Sequence, residues 1–240
     1  MSTGRDRLCI ALDYPSRAEL IVAARRFVPR AGWLKIGLEA FVAEGPALVA
    51  EVASLGARVF LDLKFHDIPN TVARAIASAA RTGASLVNVH ASGGRAMLSA
   101  ASAAAAGFDP RPRVVAVTLL TSIDAAALSD LPMAGQPESI ARRLAVLSRD
   151  CGLDGVVCSA SDLRDIRGAC GPGFLTVVPG IRPAGSAAGD QRRTASPREA
   201  IEAGADILVV GRPITAAPDP DEAVDRILEE IESARVAPHE

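Results

Sequence analysis

Eight short apolar, β-branched runs recur along the chain, and their spacing restricts the fold more than any other feature. They are Leu8–Asp13, Trp33–Leu38, Val59–Lys64, Leu86–His90, Val114–Leu120, Gly155–Ser159, Leu175–Ile181 and Ile207–Gly211, each of strand length. Their starts lie about 28 residues apart on average, the length of one strand-plus-helix unit. Between them are Ala-, Leu- and Arg-rich stretches with helical spacing, among them Ser16–Phe27, Pro46–Ser54, Thr71–Thr82, Pro137–Asp150, Pro197–Ala203 and Pro220–Ser233. Pro46, Pro197 and Pro220 suit first-turn positions, where a missing N–H costs nothing. Eight such units predict an α/β chain folded as a (β/α)8 TIM barrel. The competing open doubly wound sheet usually has fewer strands and, for a dinucleotide, a Gly-x-Gly-x-x-Gly turn after its first strand; here that turn reads Leu12-Asp13-Tyr14-Pro15-Ser16. No Pro/Gly-rich linker, low-complexity tail or shift in composition divides the chain. Residues 1–240 therefore read as a single domain with flexible ends at roughly 1–6 and 235–240.

A barrel of this kind places its functional groups at the carboxyl ends of the strands, with a phosphate site after strands seven and eight. The polar residues follow that rule. Asp13 ends the first run, Lys35 lies in the second, Asp62 and Lys64 finish the third, His90 the fourth, and Thr121 follows the fifth. Arg182 follows the seventh run, and Gly211-Arg212 ends the eighth. Of 26 basic residues only Lys35 and Lys64 are lysine. Lysine can give up a proton where arginine cannot, so these two positions are candidates for proton transfer or a compact cation contact. Strand alternation puts Asp62 and Lys64 on one face, about 6.5 Å apart along the backbone, with Leu63 packing the other way. Buried charges cost several kcal/mol each unless well paired, which makes this pair a candidate functional centre rather than a structural ion pair.

The motifs resemble those of the orotidine 5′-phosphate decarboxylase family over nearly the whole chain. The resemblance rests on Ile10-Ala11-Leu12-Asp13, Leu34-Lys35-Ile36-Gly37, Asp62-Leu63-Lys64-Phe65-His66-Asp67-Ile68-Pro69-Asn70-Thr71 and Val87-Asn88-Val89-His90-Ala91-Ser92-Gly93-Gly94. It continues through Leu120-Thr121-Ser122, Pro179-Gly180-Ile181-Arg182-Pro183, Gly189-Asp190-Gln191-Arg192-Arg193 and Gly211-Arg212-Pro213. It implies decarboxylation of orotidine 5′-monophosphate to UMP and CO2, the last step of de novo pyrimidine synthesis. Lys64 would neutralise the developing C6 carbanion and protonate it, with Asp62 beside the departing carboxylate. Lys35 and Asp67 would complete an alternating array, and Asp67, Ile68 and Thr71 would also touch substrate. Asp67 and Thr71 would reach into the site of a second subunit, which makes the expected active unit a homodimer. Asp13 and Lys35 would hold ribose hydroxyls, Thr121 the amide edge of the pyrimidine, and Arg182, Gln191, Gly211 and Arg212 the phosphate. The small residues Pro183–Asp190 have the composition of a lid, with Gln191 bridging it to the ligand. No cofactor and no metal are expected.

Composition narrows the alternatives. Formal charge is −2, from 26 basic and 28 acidic side chains with no long block of one sign, so neither nucleic acid nor a membrane surface is an expected partner. No apolar run reaches the ~18 residues of a spanning helix, and Met1–Asp6 lacks a signal-peptide pattern, which predicts a cytoplasmic protein. Cys9, Cys151, Cys158 and Cys170 show no metal-ligand spacing and read as buried structural thiols. His66 and His90 read as supporting, hydrogen-bonded residues. Arg192 and Arg193 read equally well as a boost to the phosphate field or as a solvated pair. Two other functions fit a barrel with these residues. One is a metal-dependent decarboxylase or aldolase-like enzyme acting on sugar phosphates, which shares Asp-x-Lys-x-x-Asp but continues with small residues and acidic metal ligands instead of Ile68-Pro69-Asn70-Thr71. The other is a non-catalytic nucleotide-phosphate binding barrel, which should have lost at least one of Lys35, Asp62, Lys64 or Asp67.

Overall fold

A computed structural model of the chain describes residues 3–130, 132–183 and 193–234, with Ala125 described by its backbone alone. Eight parallel strands close into a barrel in sequence order: β1 Leu8–Ala11, β2 Trp33–Ile36, β3 Val59–Phe65, β4 Ala84–His90, β5 Arg113–Val117, β6 Gly155–Val157, β7 Leu175–Val178 and β8 Ile207–Val210. Strand β1 pairs with both β2 and β8, which seals the cylinder. The (β/α)8 barrel expected from the spacing is the observed architecture.

Period-two alternation builds two apolar shells from these strands. Leu8, Ile10 and Leu12 point outward and pack under the helices. Cys9 and Ala11 point inward and join Trp33, Phe60, Leu86, Val115, Val117, Val157, Val177, Ile207 and Val209 in a separate interior cluster. Aromatics are only 3% of the chain, and two of them, Trp33 and Phe60, lie in this interior. Between β6 and β7 the backbones approach so closely that a Cβ on Gly155 would sit 2.0 Å from the Leu175 carbonyl oxygen, so any larger residue would push these strands apart.

Pro46, Pro197 and Pro220 each open a helix, as expected, and Pro69 and Pro137 do the same. The structure adds helices that the sequence reading did not name, including Leu38–Glu44, Gly94–Ala106 and Leu163–Cys170. Several strands stop short of their predicted ends. The second breaks at Gly37, which becomes the N-cap of the next helix, and the fifth ends at Val117, freeing residues 118–121 for the barrel mouth. Near the start of the chain, inside the stretch expected to be a flexible end, Gly4–Arg7 forms a short helix. The Thr3–Asp6 capping box closes it, while Arg58 pairs with Asp6 at 2.7 Å and the Trp33 indole N–H donates to the Asp6 carbonyl. Residues 1–2 and 235–240 lie outside the described residues. Cys9, Cys151 and Cys158 are buried as expected, whereas Cys170 is only half-buried because it closes a surface helix. Among the described residues no helix is long and apolar enough to cross a membrane.

At the base of β7 and β8 the buried Arg167 guanidinium donates to the carbonyls of Gly204, Pro172 and Phe174, to the Thr176 hydroxyl and to Asp206 at 2.6 Å. Arg167→Met would take away the guanidinium bonds to the Pro172 and Phe174 carbonyls and the counter-charge of Asp206, leaving Thr176 to serve Gly204 and Asp206 alone. We expect it to destabilise the fold by about 3 kcal/mol, read as a lowered urea midpoint.

Candidate active site

The carboxyl ends of the strands surround a cavity of about 480 Å3, within the size range of small-molecule sites. Asp13, Lys35, Asp62 and Lys64 line it from the β1–β3 side; Thr121 follows β5; Arg182, Gly211 and Arg212 line it from the β7–β8 side. In a closed eight-stranded barrel β3 and β7 face each other across the mouth, so the acid–lysine cluster and the arginines occupy opposite walls. The floor between them is apolar, with Phe60, Val117, Val157 and Val209 reaching up from the barrel interior.

The charges on the first wall form a continuous chain. Lys35 Nζ lies 3.2 Å from Asp13 Oδ1 and 3.6 Å from Asp62 Oδ2, and Lys64 Nζ lies 2.6 Å from Asp62 Oδ1. Lys35 and Asp62 are almost enclosed, with side chains 11% and 14% exposed. Burial pushes the Asp62 carboxyl up, but the Lys35 and Lys64 charges, with hydrogen bonds from Lys64 and Asn88, outweigh it and hold the group below the usual carboxylate range. For Lys35 burial favours loss of the proton, and the Asp62 and Asp13 charges overcome it, keeping the ammonium above its ordinary value.

Strand alternation is not what brings Asp62 and Lys64 together. Strand β3 pairs with β4 at Leu61↔Val87 and again at Phe65↔Val89, so four steps on one strand answer two on the other. The resulting bulge carries Asp62, Leu63 and Lys64, and within it Lys64 takes a positive φ of 51°, the one such non-glycine among the described residues. Bulges re-aim side chains; this one turns the Lys64 ammonium back onto Asp62, while Leu63 packs against the outer core as expected.

Asp67, Ile68 and Thr71 are exposed on the rim and do not line the cavity. Ile68 is 67% exposed, an unusual position for a large apolar side chain, and Asp67 Oδ1 accepts the N–H of Ile68 at 2.6 Å. Gln191, Arg192 and residues 184–190 of the expected lid lie outside the described residues. His66 and His90 form a tilted ring pair 5.4 Å apart. Burial, with His66 and Lys64 nearby, pushes His90 below its ordinary value.

Two residues without an assigned role stand out. Asn88 is fully buried and bonds to both Asp62 and Lys64. Arg193, read from sequence as part of a field-boosting or solvated pair, instead turns inward: its guanidinium meets the buried Asp162 at 3.0 Å and Ser159 at 2.9 Å, and reaches the carbonyls of Leu119 and Leu120. It ties the chain after residue 192 to the ends of β5 and β6. The sequence signals for Asn88 were a polar residue inside an apolar strand run and its place in the Val87–Gly94 motif, neither of which gave it a role, and nothing in the sequence separated Arg193 from its neighbour. Among the described residues no three His, Cys, Asp or Glu side chains converge as a metal site requires.

A closed parallel barrel with a chain of opposite charges on one wall of its mouth and arginines on the other belongs to the class of (β/α)8 barrels that carry a charged small-molecule cavity at the carboxyl ends of their strands. Comparison with known proteins narrows the class. The model of the orotidine 5′-phosphate decarboxylase / HUMPS family matches residues 6–227. A protein of Anaeromyxobacter sp. (strain K) named orotidine 5′-phosphate decarboxylase is 54% identical over 222 residues, covering 92% of this chain and 96% of that one. One of the same name from Moorella thermoacetica is 51% identical, covering 96% and 94%. The crystal structure of orotidine 5′-phosphate decarboxylase from Lactobacillus acidophilus superposes with a TM-score of 0.83 at 33% identity, covering 94% of this chain and 99% of that one. The chain belongs to the orotidine 5′-phosphate decarboxylase / HUMPS family.

The charge chain makes stability depend on pH at both extremes. Asp62 titrates below its ordinary value in the fold, so its contribution is complete above about pH 5 and is lost as pH falls through the folded value; Lys35 titrates above its own, so its contribution is complete below about pH 9 and is lost on further rise. The stability difference between the native chain and Asp62→Asn, from urea unfolding, should be present at neutral pH and shrink as pH falls from about 5 toward 3.

Proposed function

We propose that this chain decarboxylates orotidine 5′-monophosphate to UMP and CO2 without a cofactor, as a homodimer in the cytoplasm. The observation that carries the reading is the buried Lys35–Asp62–Lys64 chain, set opposite Arg182 and Arg212 across one nucleotide-sized cavity. The relatives named above support it. The residues after Asp67 also favour this branch of the family over a metal-dependent sugar-phosphate enzyme, since the chain continues Ile68-Pro69-Asn70-Thr71.

The chemistry assigns each group a task. When the C6–carboxylate bond breaks, its electron pair stays on C6 and CO2 departs. Lys64 Nζ, held 2.6 Å from Asp62, places a positive charge beside the new carbanion and then passes it a proton. Asp62 stands where the substrate carboxylate sits, and that crowding of like charge is relieved as CO2 leaves. Lys35 keeps Asp62 ionised and, with Asp13, binds ribose hydroxyls. Thr121 takes the pyrimidine's amide edge. Arg182, Arg212, the Gly211 backbone and Gln191 take the phosphate, since guanidinium forks match phosphate oxygens. Asp67 and Thr71, exposed on the rim of one subunit, serve the cavity of the other, where Asp67 completes the alternating charges, and Ile68 beside them touches substrate.

The direct test is the ultraviolet absorbance of orotidine 5′-monophosphate with purified protein in EDTA. Conversion to UMP supports the reading; no reaction in EDTA, with turnover of a sugar phosphate once Mg2+ is restored, moves the chain to the metal-dependent branch. Nucleotide binding without turnover identifies a binding barrel. Lys64→Ala should abolish decarboxylation yet leave a folded protein that still binds UMP, because the phosphate contacts remain.

Mixing inactive Lys64→Ala with inactive Asp67→Ala subunits should restore part of the activity, because some mixed dimers carry one intact site. Absence of recovery, with subunit exchange demonstrated, would place Asp67 in the site of its own subunit.

A further inference from the structure

Asn88 is the residue of β4 that faces the β3 bulge. Between the pairs Leu61↔Val87 and Phe65↔Val89 it alone answers Asp62, Leu63 and Lys64, so the regular ladder cannot serve every backbone group there. Its carboxamide takes the place of the ladder. Oδ1 accepts the backbone N–H of Lys64 at 2.8 Å, and Nδ2 donates to Asp62 Oδ1 at 2.7 Å. That same Asp62 oxygen receives the Lys64 ammonium at 2.6 Å, which closes a ring from Asn88 through the Lys64 backbone and side chain to Asp62 and back.

Both ends of the amide are engaged and the residue is fully buried, so it cannot turn without breaking a contact inside the protein. Lys64 needs such a hold. A side-chain-bearing residue at φ 51° is in a sparsely populated region and persists only where its surroundings impose it. Asn88 does not line the cavity, so it touches the chemistry only through its two partners.

We propose that Asn88 is a positioning residue for the decarboxylation argued above: its carboxamide fixes where the Lys64 ammonium stands relative to Asp62, by gripping the left-handed backbone of one and the carboxylate of the other. The inference rests on that functional reading and adds a residue to it. A positioning role predicts loss in turnover rather than in binding, because ribose and phosphate contacts lie elsewhere.

Two variants test it against the native chain, with kcat and KM for orotidine 5′-monophosphate from about pH 5 to pH 9 and the Kd for UMP. Asn88→Leu keeps the branched shape, with a larger volume, and removes both hydrogen bonds. It should lower kcat by about 10- to 100-fold, the scale of losing a buried hydrogen bond to a charged group, with KM and the UMP Kd within about threefold of native. Asn88→Asp keeps the shape and the acceptor and replaces the donor by a second carboxyl beside Asp62. Two adjoining carboxyls share one proton, and while the introduced carboxyl holds it, its hydroxyl can donate to Asp62 as the amide did. The kcat of this variant, taken as a ratio to native, should approach one at low pH and fall as pH rises and the second carboxyl ionises. The other groups that face Asp62 are Lys35 from β2, Lys64 on β3, His90 from β4 and the Cys9 thiol from β1. All four are present in both proteins, so the ratio reads the effect of the introduced carboxyl, including any shift it causes in them. A folded Asn88→Leu protein with native kcat, or an Asn88→Asp protein whose loss is the same at every pH, overturns the proposal; if Asn88→Leu does not fold, the pH ratio decides alone. A native chain that leaves orotidine 5′-monophosphate unchanged overturns the functional reading and this inference with it.

Discussion

A nearly enclosed carboxylate that stays ionised governs the design of this barrel. Asp62 has an apolar floor beneath it and almost no access to water, conditions that favour a neutral acid. Two ammonium groups, one from the preceding strand and one from its own, reverse that preference. The three charges depend on each other, since removing any one leaves a nearly enclosed neighbour with one counter-charge fewer to offset its burial. Asp13, Lys35, Asp62, Lys64 and Asn88 come from the ends of four strands, β1 to β4, that neighbour one another in the sheet, and closure then sets β7 and β8, with Arg182 and Arg212, across the mouth from them.

Closure also sets the distance between the two kinds of recognition. Trp33, Phe60 and the inward valines fill the cylinder and end below the mouth, which leaves a cavity rather than a channel. Its acid–lysine wall belongs to the first half of the chain and its arginine wall to the second. Neither half makes the site alone. Arg193 joins them a second time, bridging the chain just before its last repeat to Asp162 after β6 and to the turn after β5 that leads to Thr121.

The architecture was legible because the barrel's demands are local. Each parallel strand, covered on both faces, must be apolar along its length, and prolines at helix starts punctuate the repeats. The Asp62–Lys64 pairing was legible as well, although alternation was the wrong reason: a bulge with Lys64 at positive φ does the aiming. Bulges depend on the register between two strands, which single-strand periodicity does not carry. Asn88 was illegible for the same reason, since its importance exists only opposite that bulge. Arg193 could not be told from Arg192, as a boost to the phosphate field or as a solvated charge, because its partner, Asp162, is 31 residues away in the chain. Asp67, Ile68 and Thr71 are exposed on the rim, and their proposed role is argued from chemistry.

The division of labour between lysine and arginine follows from the same geometry. Where this chain needs a cation to hold structure it uses a fork with several donors: Arg167 meets three carbonyls, a hydroxyl and a carboxylate, and Arg193 meets a carboxylate, a hydroxyl and two carbonyls. A planar fork locked by five N–H groups suits that task because it cannot shift without breaking several bonds. Lys35 and Lys64 do something a fork cannot. Each ends in one nitrogen, and Lys35 reaches Asp13 and Asp62 from that single atom. On the proposed chemistry the single atom matters more for Lys64, since a group that pairs with Asp62 and then turns a proton toward C6 must act as donor without reorganising a plane of contacts. Arginine at position 64 would hold its proton too firmly to give it up, and its broad guanidinium could not pivot on one atom between Asp62 and C6. On the proposed chemistry, a chain that otherwise spells its positive charges as arginine keeps lysine at the two positions where the charge has to be compact.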